Sequence, residues 1–260
     1  MAVDRTVIIS GGTFGIGRGI VIEMARRGWN VVGFGLDKQQ LGSAAKNGIN
    51  GTKASLLELG LTADILEADV SNSQQVQGII EHTLDRFGHI HGLVNNAAIR
   101  PVGNILETDE KIFDQTIAVN LKGQFLACKA VIPCMQAVGG GSIVNIASGA
   151  GWGKAGLLAY SASKGGIFAL SAALAYDHLE DHIRVNVVVP GPQTESGMVE
   201  HYAGLKSSPA VLTVSGRNTR PSDIANAAAF LLSDDAEQIS GSVLDVGTFA
   251  NQGALGQPRS

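Results

Sequence analysis

Residues 6–17 read TVIISGGTFGIG, a short run of apolar and β-branched residues that ends in a cluster of glycines. The apolar run predicts a buried strand, and the spacing of apolar residues over 19–27 predicts an amphipathic helix after the glycines. A strand, a tight glycine turn and a helix N-terminus bring free backbone N–H groups and the positive end of a helix dipole to one point. The arrangement suits a pyrophosphate, although its spacing, G-x-x-x-G-x-G, differs from the dinucleotide fingerprint G-x-G-x-x-G.

The rest of the chain repeats this alternation of strand and helix. Further strands are predicted at 30–34, 64–70, 92–95, 142–146, 184–189 and 242–246. Further helices are predicted at 76–87, 160–179 and 222–232, with helical stretches from 107 to 120 and on to 137. Continuous apolar strands separated by helices are typical of βαβ units. We therefore expect an α/β fold with one domain over residues 1–260, a Rossmann-like doubly wound parallel sheet with helices on both faces. Residues 39–61 are expected to form a helix with a longer surface loop, and residues 251–260 a loosely held tail.

The bulk composition excludes several classes of function. The chain has 260 residues, 45% of them hydrophobic, and a net charge of −4, which argues against nucleic acid or an anionic membrane as a partner. The start of the chain shows no signal-peptide pattern and no apolar run is long enough to span a membrane, so we expect a cytoplasmic protein. Cys128 and Cys134 lack metal-ligand spacing, which predicts two thiols in a reducing compartment and no metal site.

Tyr160 and Lys164 form the strongest chemical signal. Residues four apart on a helix lie on one face, so the phenol and the ammonium group can point into one site. A free tyrosine has a pKa of about 10, and a nearby cation lowers that pKa. A tyrosine in such a place can act as a general acid or base. A Tyr and a Lys four residues apart also occur by chance on many helices. The alternative interpretation is therefore a partly buried Tyr160 beside a solvated Lys164.

Together with the glycine turn, this pair makes the chain resemble the short-chain dehydrogenase/reductase family over about residues 6–247. The family's motifs occur in order along the chain. They are Gly11, Gly15 and Gly17 in the glycine turn, Asp69-Val70, Asn95-Asn96-Ala97-Ala98 with Ala98 in place of a Gly, Asn120, Ser148, Tyr160 with Lys164, and Pro190-Gly191.

The resemblance implies an NAD(P)-dependent oxidoreductase acting on CH–OH groups, with Asn120, Ser148, Tyr160 and Lys164 as the catalytic residues. In this interpretation Tyr160 exchanges the hydroxyl proton while a hydride moves to or from the nicotinamide. Lys164 lowers the Tyr160 pKa and binds the nicotinamide ribose, and Ser148 holds the substrate oxygen. Asn120 positions a water linked to Lys164, ties its helix to the sheet, or does both. The residues expected to bind the cofactor are Ser10, Gly11, Gly15, Ile16, Gly17, Asp37, Asp69, Val70, Asn96, Ala97, Tyr160, Lys164, Pro190, Gly191 and Thr194, which lies one place before the family's threonine.

The end of the second strand bears on the choice between NAD and NADP. NAD-preferring relatives carry an acidic residue where this chain has Gly35, and NADP-preferring relatives often carry a basic residue at the positions of Leu36 or Phe14. Asp37 points to the same side as position 35 and would repel a 2′-phosphate, which favours NAD. Lys38 could instead pair with that phosphate, and Asp37 could simply cap the following helix. NAD is thus the favoured cofactor and NADP the alternative.

The expected substrate is a small polar molecule. The residues expected to meet it are Arg100, Ser148, Trp152, Lys154, Tyr160 and Gln193, with residues 197–221 as a lid. These side chains are mixed and polar, which favours a sugar or polyol over a steroid or acyl chain. Arg100 and Lys154 could together receive an anionic group, or both could be solvated surface charges.

Three functions remain open at this stage. The first is an NAD-dependent sugar or polyol dehydrogenase, the second an NADPH-dependent ketone or 3-oxoacyl-type reductase, and the third a nucleotide-sensing protein without turnover. The resemblance also implies a homodimer or homotetramer that pairs through the helices carrying Asn120 and Tyr160. The small residues that would permit this contact, or pack within one subunit, are Gly165, Gly166, Ala169, Ala172 and Ala173.

Overall fold

A computed structural model of the protein describes residues 4–37, 48–191, 194 and 213–246. Its strands are β1 (Thr6–Ser10), β2 (Asn30–Gly35), β3 (Asp64–Glu67), β4 (Gly92–Asn95), β5 (Gly141–Ile146), β6 (Ile183–Pro190) and β7 (Val243–Val246). Its helices are α1 (Gly15–Arg26), α2 (Gly48–Glu58), α3 (Ser73–Phe87), α4 (Glu110–Ile117), α5 (Gly123–Ala137), α6 (Leu158–Asp177) and α7 (Pro221–Leu232).

The strands form one parallel sheet in the order β3-β2-β1-β4-β5-β6-β7. The order reverses direction between β1 and β4, whose last residues, Ser10 and Asn95, are paired. In such sheets a crevice opens at the carboxyl ends of the strands where the order reverses. The predicted doubly wound parallel sheet is therefore confirmed, and its crevice lies at Ser10 and Asn95.

Helices cover both faces of the sheet because the strands alternate their apolar side chains between the faces. Val7 and Ile9 of β1 lie in a core with α1 and α7. Ile8, between them, lies in a second core with α3 and α5. The central strands are thus buried on both sides, as their continuous apolar sequences predict.

Two predicted elements differ from the structure. The third strand ends at Glu67 instead of residue 70, because the Asp69 carboxylate accepts hydrogen bonds from the backbone and hydroxyl of Ser71 and forms a turn before α3. The helical stretches predicted from 107 to 120 and on to 137 are α4, α5 and, between them, a wider π-helical segment at Ala118–Lys122 that the sequence did not predict. Asn120 lies in the middle of that segment. Residues 38–47, most of the predicted lid and the predicted tail lie outside the described residues.

Within the described ranges, no helix combines the length and the apolar character needed to cross a membrane. In the same part of the chain, no three His, Cys, Asp or Glu side chains are grouped to hold a metal ion. Cys128 and Cys134 are free thiols, and burial raises the pKa of Cys128 to about 12, so this thiol is unreactive.

Candidate active site

The glycine turn lies at the crevice and is hydrogen-bonded to the two residues that follow β4. Gly11 and Gly15 have φ angles of +66° and +56°, which favour glycine. The Ser10 hydroxyl accepts hydrogen bonds from the backbone of Asn96 at 3.0 Å and of Ala97 at 3.2 Å. The Asn96 amide donates to the Gly11 carbonyl at 3.0 Å. Ser10, Asn96 and Ala97 therefore shape the turn.

The N-terminus of α1 is open to an anionic ligand. Phe14 precedes the helix without a side-chain capping bond, and the first turn carries no acidic residue. A Cβ at Gly17 would overlap the Gly11 carbonyl oxygen, so this position must be glycine for the turn to close. Ile16, immediately before Gly17, is half-buried. Free N–H groups at a helix N-terminus beside a glycine turn fit the pyrophosphate of a dinucleotide.

The end of β2 lacks an acidic side chain at the place expected for an NAD site. A Cβ on Gly35 would lie 3.1 Å from the Thr13 hydroxyl oxygen, so Thr13 fills the space where a larger side chain would begin. Asp37 is exposed, and its Oδ1 accepts a hydrogen bond from the Ile49 backbone at 3.2 Å. Asp37 therefore caps α2, one of the alternatives that the sequence leaves open.

The residues after β3 lie against α5. Val70 is buried, and a Cβ on Gly123 would lie 2.9 Å from its side chain. Asp69 is half-buried, and its backbone N–H donates to the Gln75 side chain at 2.7 Å. The turn that holds Asp69 and Val70 is thus fixed against the helix that follows Asn120.

Tyr160 and Lys164 lie in the first two turns of α6, and both are buried, with 7% and 2% of their surface exposed. Ser148 caps a short 3₁₀ helix, Gly149–Trp152, by accepting from the Ala150 backbone at 3.2 Å. The Lys164 ammonium lies 5.7 Å from the centre of the Tyr160 ring and donates to the Ile146 carbonyl at 2.7 Å. The structure thus brings the phenol, the serine hydroxyl and the amine together at the carboxyl end of β5.

Burial dominates the electrostatics of Tyr160 and Lys164. Burial raises the pKa of Tyr160, and a hydrogen bond with Ser148 and the positive charge of Arg100 oppose that rise. Burial also lowers the pKa of Lys164 to about 7, because a charged amine is poorly solvated there. In the protein without its cofactor, the positive charge that opposes the rise in the Tyr160 pKa is that of Arg100, and the effect of Lys164 on the phenol stays a prediction.

Asn120 joins the site to the loop after β4. Its side-chain oxygen accepts from the Ile99 backbone at 2.8 Å, and its amide donates to the Ile99 carbonyl at 2.9 Å and to the Ser163 hydroxyl at 2.9 Å. Ser163 in turn donates to the Tyr160 carbonyl at 2.8 Å. Asn120 thus ties its helix to the loop and to α6.

The remaining predicted cofactor residues lie at the end of β6. Pro190 is the last residue of this strand and pairs with Val246. Gly191 follows, and its carbonyl accepts a hydrogen bond from the buried Thr194 hydroxyl at 2.7 Å. This bond holds Thr194 close to the carboxyl end of β6.

The predicted substrate residues differ in their exposure and in their contacts. Trp152 stacks on Phe168 with ring centres 4.6 Å apart and keeps 45% of its surface exposed. Lys154 is exposed, and its backbone N–H donates to the Ser161 hydroxyl. Arg100 is half-buried, and its charge acts on Tyr160. Gln193 lies outside the described residues. Arg100 is thus less exposed than Lys154.

Two residues of this network were not identified from the sequence. Ser163 links Asn120 to the backbone of Tyr160, and Thr13 fills the space beside Gly35. The spacing of Ser163, three residues after Tyr160, places it on the Tyr160 side of α6 and could have drawn attention to it. No local pattern marks Thr13, because Gly35, which it contacts, lies at the end of β2, far from Thr13 in the sequence.

Known proteins are related to this chain in sequence and in fold. A family model described as enoyl-(acyl carrier protein) reductase matches residues 11–248. The levodione reductase of Leifsonia aquatica is 33% identical, with 94% of this chain and 92% of that protein covered.

Two solved structures share the fold. A variant of the actinorhodin polyketide ketoreductase, solved with NADPH, is 27% identical with a TM-score of 0.83, covering 95% of this chain and 97% of that one. The aldohexose dehydrogenase of Thermoplasma acidophilum, in ligand-free form, is 28% identical with a TM-score of 0.82, covering 98% of each chain.

The chain belongs to the short-chain dehydrogenase/reductase family. It is an NAD(P)-dependent oxidoreductase that acts on the CH–OH or ketone group of a small molecule.

Proposed function

We propose that this enzyme uses NAD to oxidise or reduce the secondary alcohol, ketone or lactol group of a sugar or polyol, with Asn120, Ser148, Tyr160 and Lys164 as its catalytic residues. The observation that carries this proposal is the placement of the buried Tyr160 phenol and the buried Lys164 amine at the carboxyl end of β5, with the Ser148 hydroxyl close enough to oppose the rise in the Tyr160 pKa. Two hydroxyl groups held together in this way can bind one substrate oxygen between them.

When bound, the dinucleotide supplies or accepts the hydride. Tyr160 donates its phenolic proton to the carbonyl oxygen during reduction and takes the alcohol proton during oxidation. Ser148 donates a hydrogen bond to the same oxygen and orients it. Burial of Tyr160 keeps water from its phenol and strengthens the interactions made there.

Lys164 and Asn120 act around the phenol. With a pKa of about 7, Lys164 changes its charge near neutral pH, so it can exchange a proton with Tyr160 or with solvent. Its position behind the Tyr160 ring also suits hydrogen bonds to a ribose. Asn120 fixes the two segments that flank the phenol.

NAD is the proposed cofactor because Asp37 places a negative charge at the end of β2 and neither Phe14 nor Leu36 is basic. The main alternative is an NADPH-dependent ketone or 3-oxoacyl-type reductase, which the NADPH-bound ketoreductase structure supports by likeness. Similarity to the aldohexose dehydrogenase structure supports a sugar as the substrate in the same way. Under the alternative, Lys38 would hold the 2′-phosphate.

We also infer that residues 1–260 act as one domain in a homodimer or homotetramer. Strands from both ends of the chain share one sheet, which supports a single domain. Ala169, Ala172 and Ala173 lie on α6 and could contact a second subunit, whereas Gly165 and Gly166 pack against Gly151 and Leu121 of the same chain. The cytoplasmic location stays a prediction from the sequence.

The proposal is tested by mixing the protein with NAD⁺ or NADP⁺ and a panel of polyols and aldoses, and following the absorbance of the reduced cofactor. Turnover with NAD⁺ and a polyol or sugar supports it. Turnover only of ketones with NADPH would favour the reductase. Tight cofactor binding without turnover of any alcohol or carbonyl would favour a nucleotide sensor.

A further inference from the structure

A buried chain of polar side chains joins the end of β4 to the helix α6. The Asn95 amide donates a hydrogen bond to the Asn145 side-chain oxygen at 2.9 Å, and the Asn145 amide donates to the Ser171 hydroxyl at 2.8 Å. None of these three residues is more than 1% exposed. Asn95 is paired in the sheet with Ser10, the residue that precedes the glycine turn. The chain of bonds therefore runs from the crevice to α6.

The last two residues of β5 hold α6 at two points. The Ile146 carbonyl accepts the hydrogen bond from Lys164 at 2.7 Å, and the side chain of the preceding residue, Asn145, binds Ser171. Lys164 and Ser171 are seven residues apart, which is about two helical turns, so both lie on one face of α6. The bond at Ser171 thus attaches the helix to the same strand end a second time, two turns beyond Lys164.

Apolar packing controls the position of this part of α6 less closely than the hydrogen bonds do. Ile167 packs with Val187 and Val189 of β6. Contacts of this kind are non-directional, whereas a hydrogen bond depends on both the distance and the angle between its groups. A buried polar group is also costly to leave unpaired. The bond between Asn145 and Ser171 therefore limits sliding and rotation of α6 against the sheet.

We propose that Asn145 is a positioning residue: through Ser171 it holds α6 so that Tyr160 and Lys164 meet the cofactor and the substrate in the reactive geometry. The inference rests on the proposed catalytic roles of Tyr160 and Lys164. Because Asn145 is completely buried, it acts through α6 and not by touching the substrate. A small misplacement of reacting groups slows the chemical step more than it weakens binding, so loss of this bond should appear mainly in kcat.

The test compares Ser171→Ala, Asn145→Leu and the double variant with a matched control. Ser142→Ala is that control, because the buried Ser142 hydroxyl, also on β5, donates at 2.9 Å to the Leu231 carbonyl of a different helix, α7. Steady-state kinetics on the best substrate of the panel and NADH binding by fluorescence are measured where circular dichroism shows each variant fully folded. Hydrogen exchange of the α6 amides in the cofactor-free protein is a readout that needs no turnover.

Ser171→Ala should lower kcat by roughly tenfold and leave the NADH dissociation constant within about twofold of wild type. It should speed exchange of the α6 amides by roughly 5- to 10-fold, the effect of losing one buried hydrogen bond. Ser142→Ala should lose stability as well but keep the wild-type kcat and the wild-type exchange in α6. The double variant should lower kcat no further than Asn145→Leu alone, because that single change already removes the shared bond.

Unchanged exchange of the α6 amides in Ser171→Ala overturns the proposal, whatever the activity. Equal losses of kcat in Ser171→Ala and Ser142→Ala overturn it too, because the loss would then follow stability alone. A further loss of kcat in the double variant would show that Asn145 does not act through Ser171. Absence of wild-type turnover on every compound of the panel with either cofactor contradicts the proposed function instead.

Discussion

The amide of Asn120 donates a hydrogen bond to the hydroxyl of Ser163 across 2.9 Å, and both residues are fully buried. Through this contact the π-helical segment between α4 and α5 is joined to the catalytic helix. The Ser163 hydroxyl also donates a hydrogen bond to the backbone carbonyl of Tyr160. The position of the Tyr160 phenol therefore depends on Ser163, which contacts Asn120 and the backbone of Tyr160.

Ser163→Ala should destabilise the protein by about 1–3 kcal/mol, because it leaves a buried amide hydrogen of Asn120 without its acceptor. It should also lower kcat more than it weakens cofactor binding, since the backbone of Tyr160 loses its tie to Asn120. Urea unfolding and steady-state kinetics check both effects. Ser73→Ala, at an exposed first position of α3, is the control, and equal stability of the two variants would contradict the role of Ser163.

Lys164→Met should raise the free energy of unfolding of the cofactor-free protein above that of wild type, and this difference should be larger at pH 6 than at pH 9. In the folded protein the pKa of Lys164 is about 7 against a usual 10.5, so between these values the unfolded chain binds more protons. Wild-type stability at this position therefore rises with pH across that window, and the advantage of the variant should shrink by about 2–3 kcal/mol between pH 6 and pH 9. Urea unfolding at several pH values measures the difference, and a pH-independent difference would show that Lys164 titrates normally.

Gly17→Ala should weaken NAD(H) binding by at least about tenfold and destabilise the protein by roughly 1–3 kcal/mol, since the new Cβ overlaps the Gly11 carbonyl. Gly78→Ala is a matched control in α3, where a Cβ meets no atom within 4 Å. That control should be neutral or more stable by up to about 1 kcal/mol and bind the cofactor normally. Fluorescence titration and thermal unfolding check the pair, and normal binding by Gly17→Ala would place the phosphates elsewhere.

Asp37→Ala should narrow the preference for NAD over NADP, because it removes the negative charge nearest the expected 2′-phosphate. It should also cost about 0.5–2 kcal/mol of stability through loss of the cap on α2. The ratio of kcat/KM for the two cofactors is the measurement. Asp85→Ala makes the same charge change on the exposed side of α3 and should leave the ratio unaltered. If Asp37→Ala loses stability but keeps its ratio, Asp37 is only a helix cap.

The sequence predicted the features that depend on local patterns. The first strand, the turn and α1 were predicted from the apolar run over Thr6–Ser10 and the glycines after it. This was possible because the spacing of apolar residues and the position of glycines are local properties of the sequence. The alternation of apolar strands with helices predicted the parallel sheet. The order of motifs then identified the family.

The features that the sequence did not predict arise from contacts between distant segments. The π-helical segment forms where the Asn120 side chain binds the backbone of Ile99, a contact between segments that no local pattern around Asn120 marks. The bond from Lys164 to Ile146 likewise joins a helix to a strand 18 residues away. The β-bridge between Gly103 and Leu157 also joins segments that are far apart in the sequence.

The exchange of a proton by Tyr160 is tested most directly by Tyr160→Phe, with Tyr176→Phe, whose tyrosine is 79% exposed, as the control. Turnover of the best alcohol in the panel and binding of NADH are measured on the same samples. We predict that Tyr160→Phe lowers kcat by about 10²- to 10⁴-fold with the NADH dissociation constant within about twofold of wild type, and that the control retains full activity. Wild-type turnover by Tyr160→Phe, with intact cofactor binding, would contradict the account.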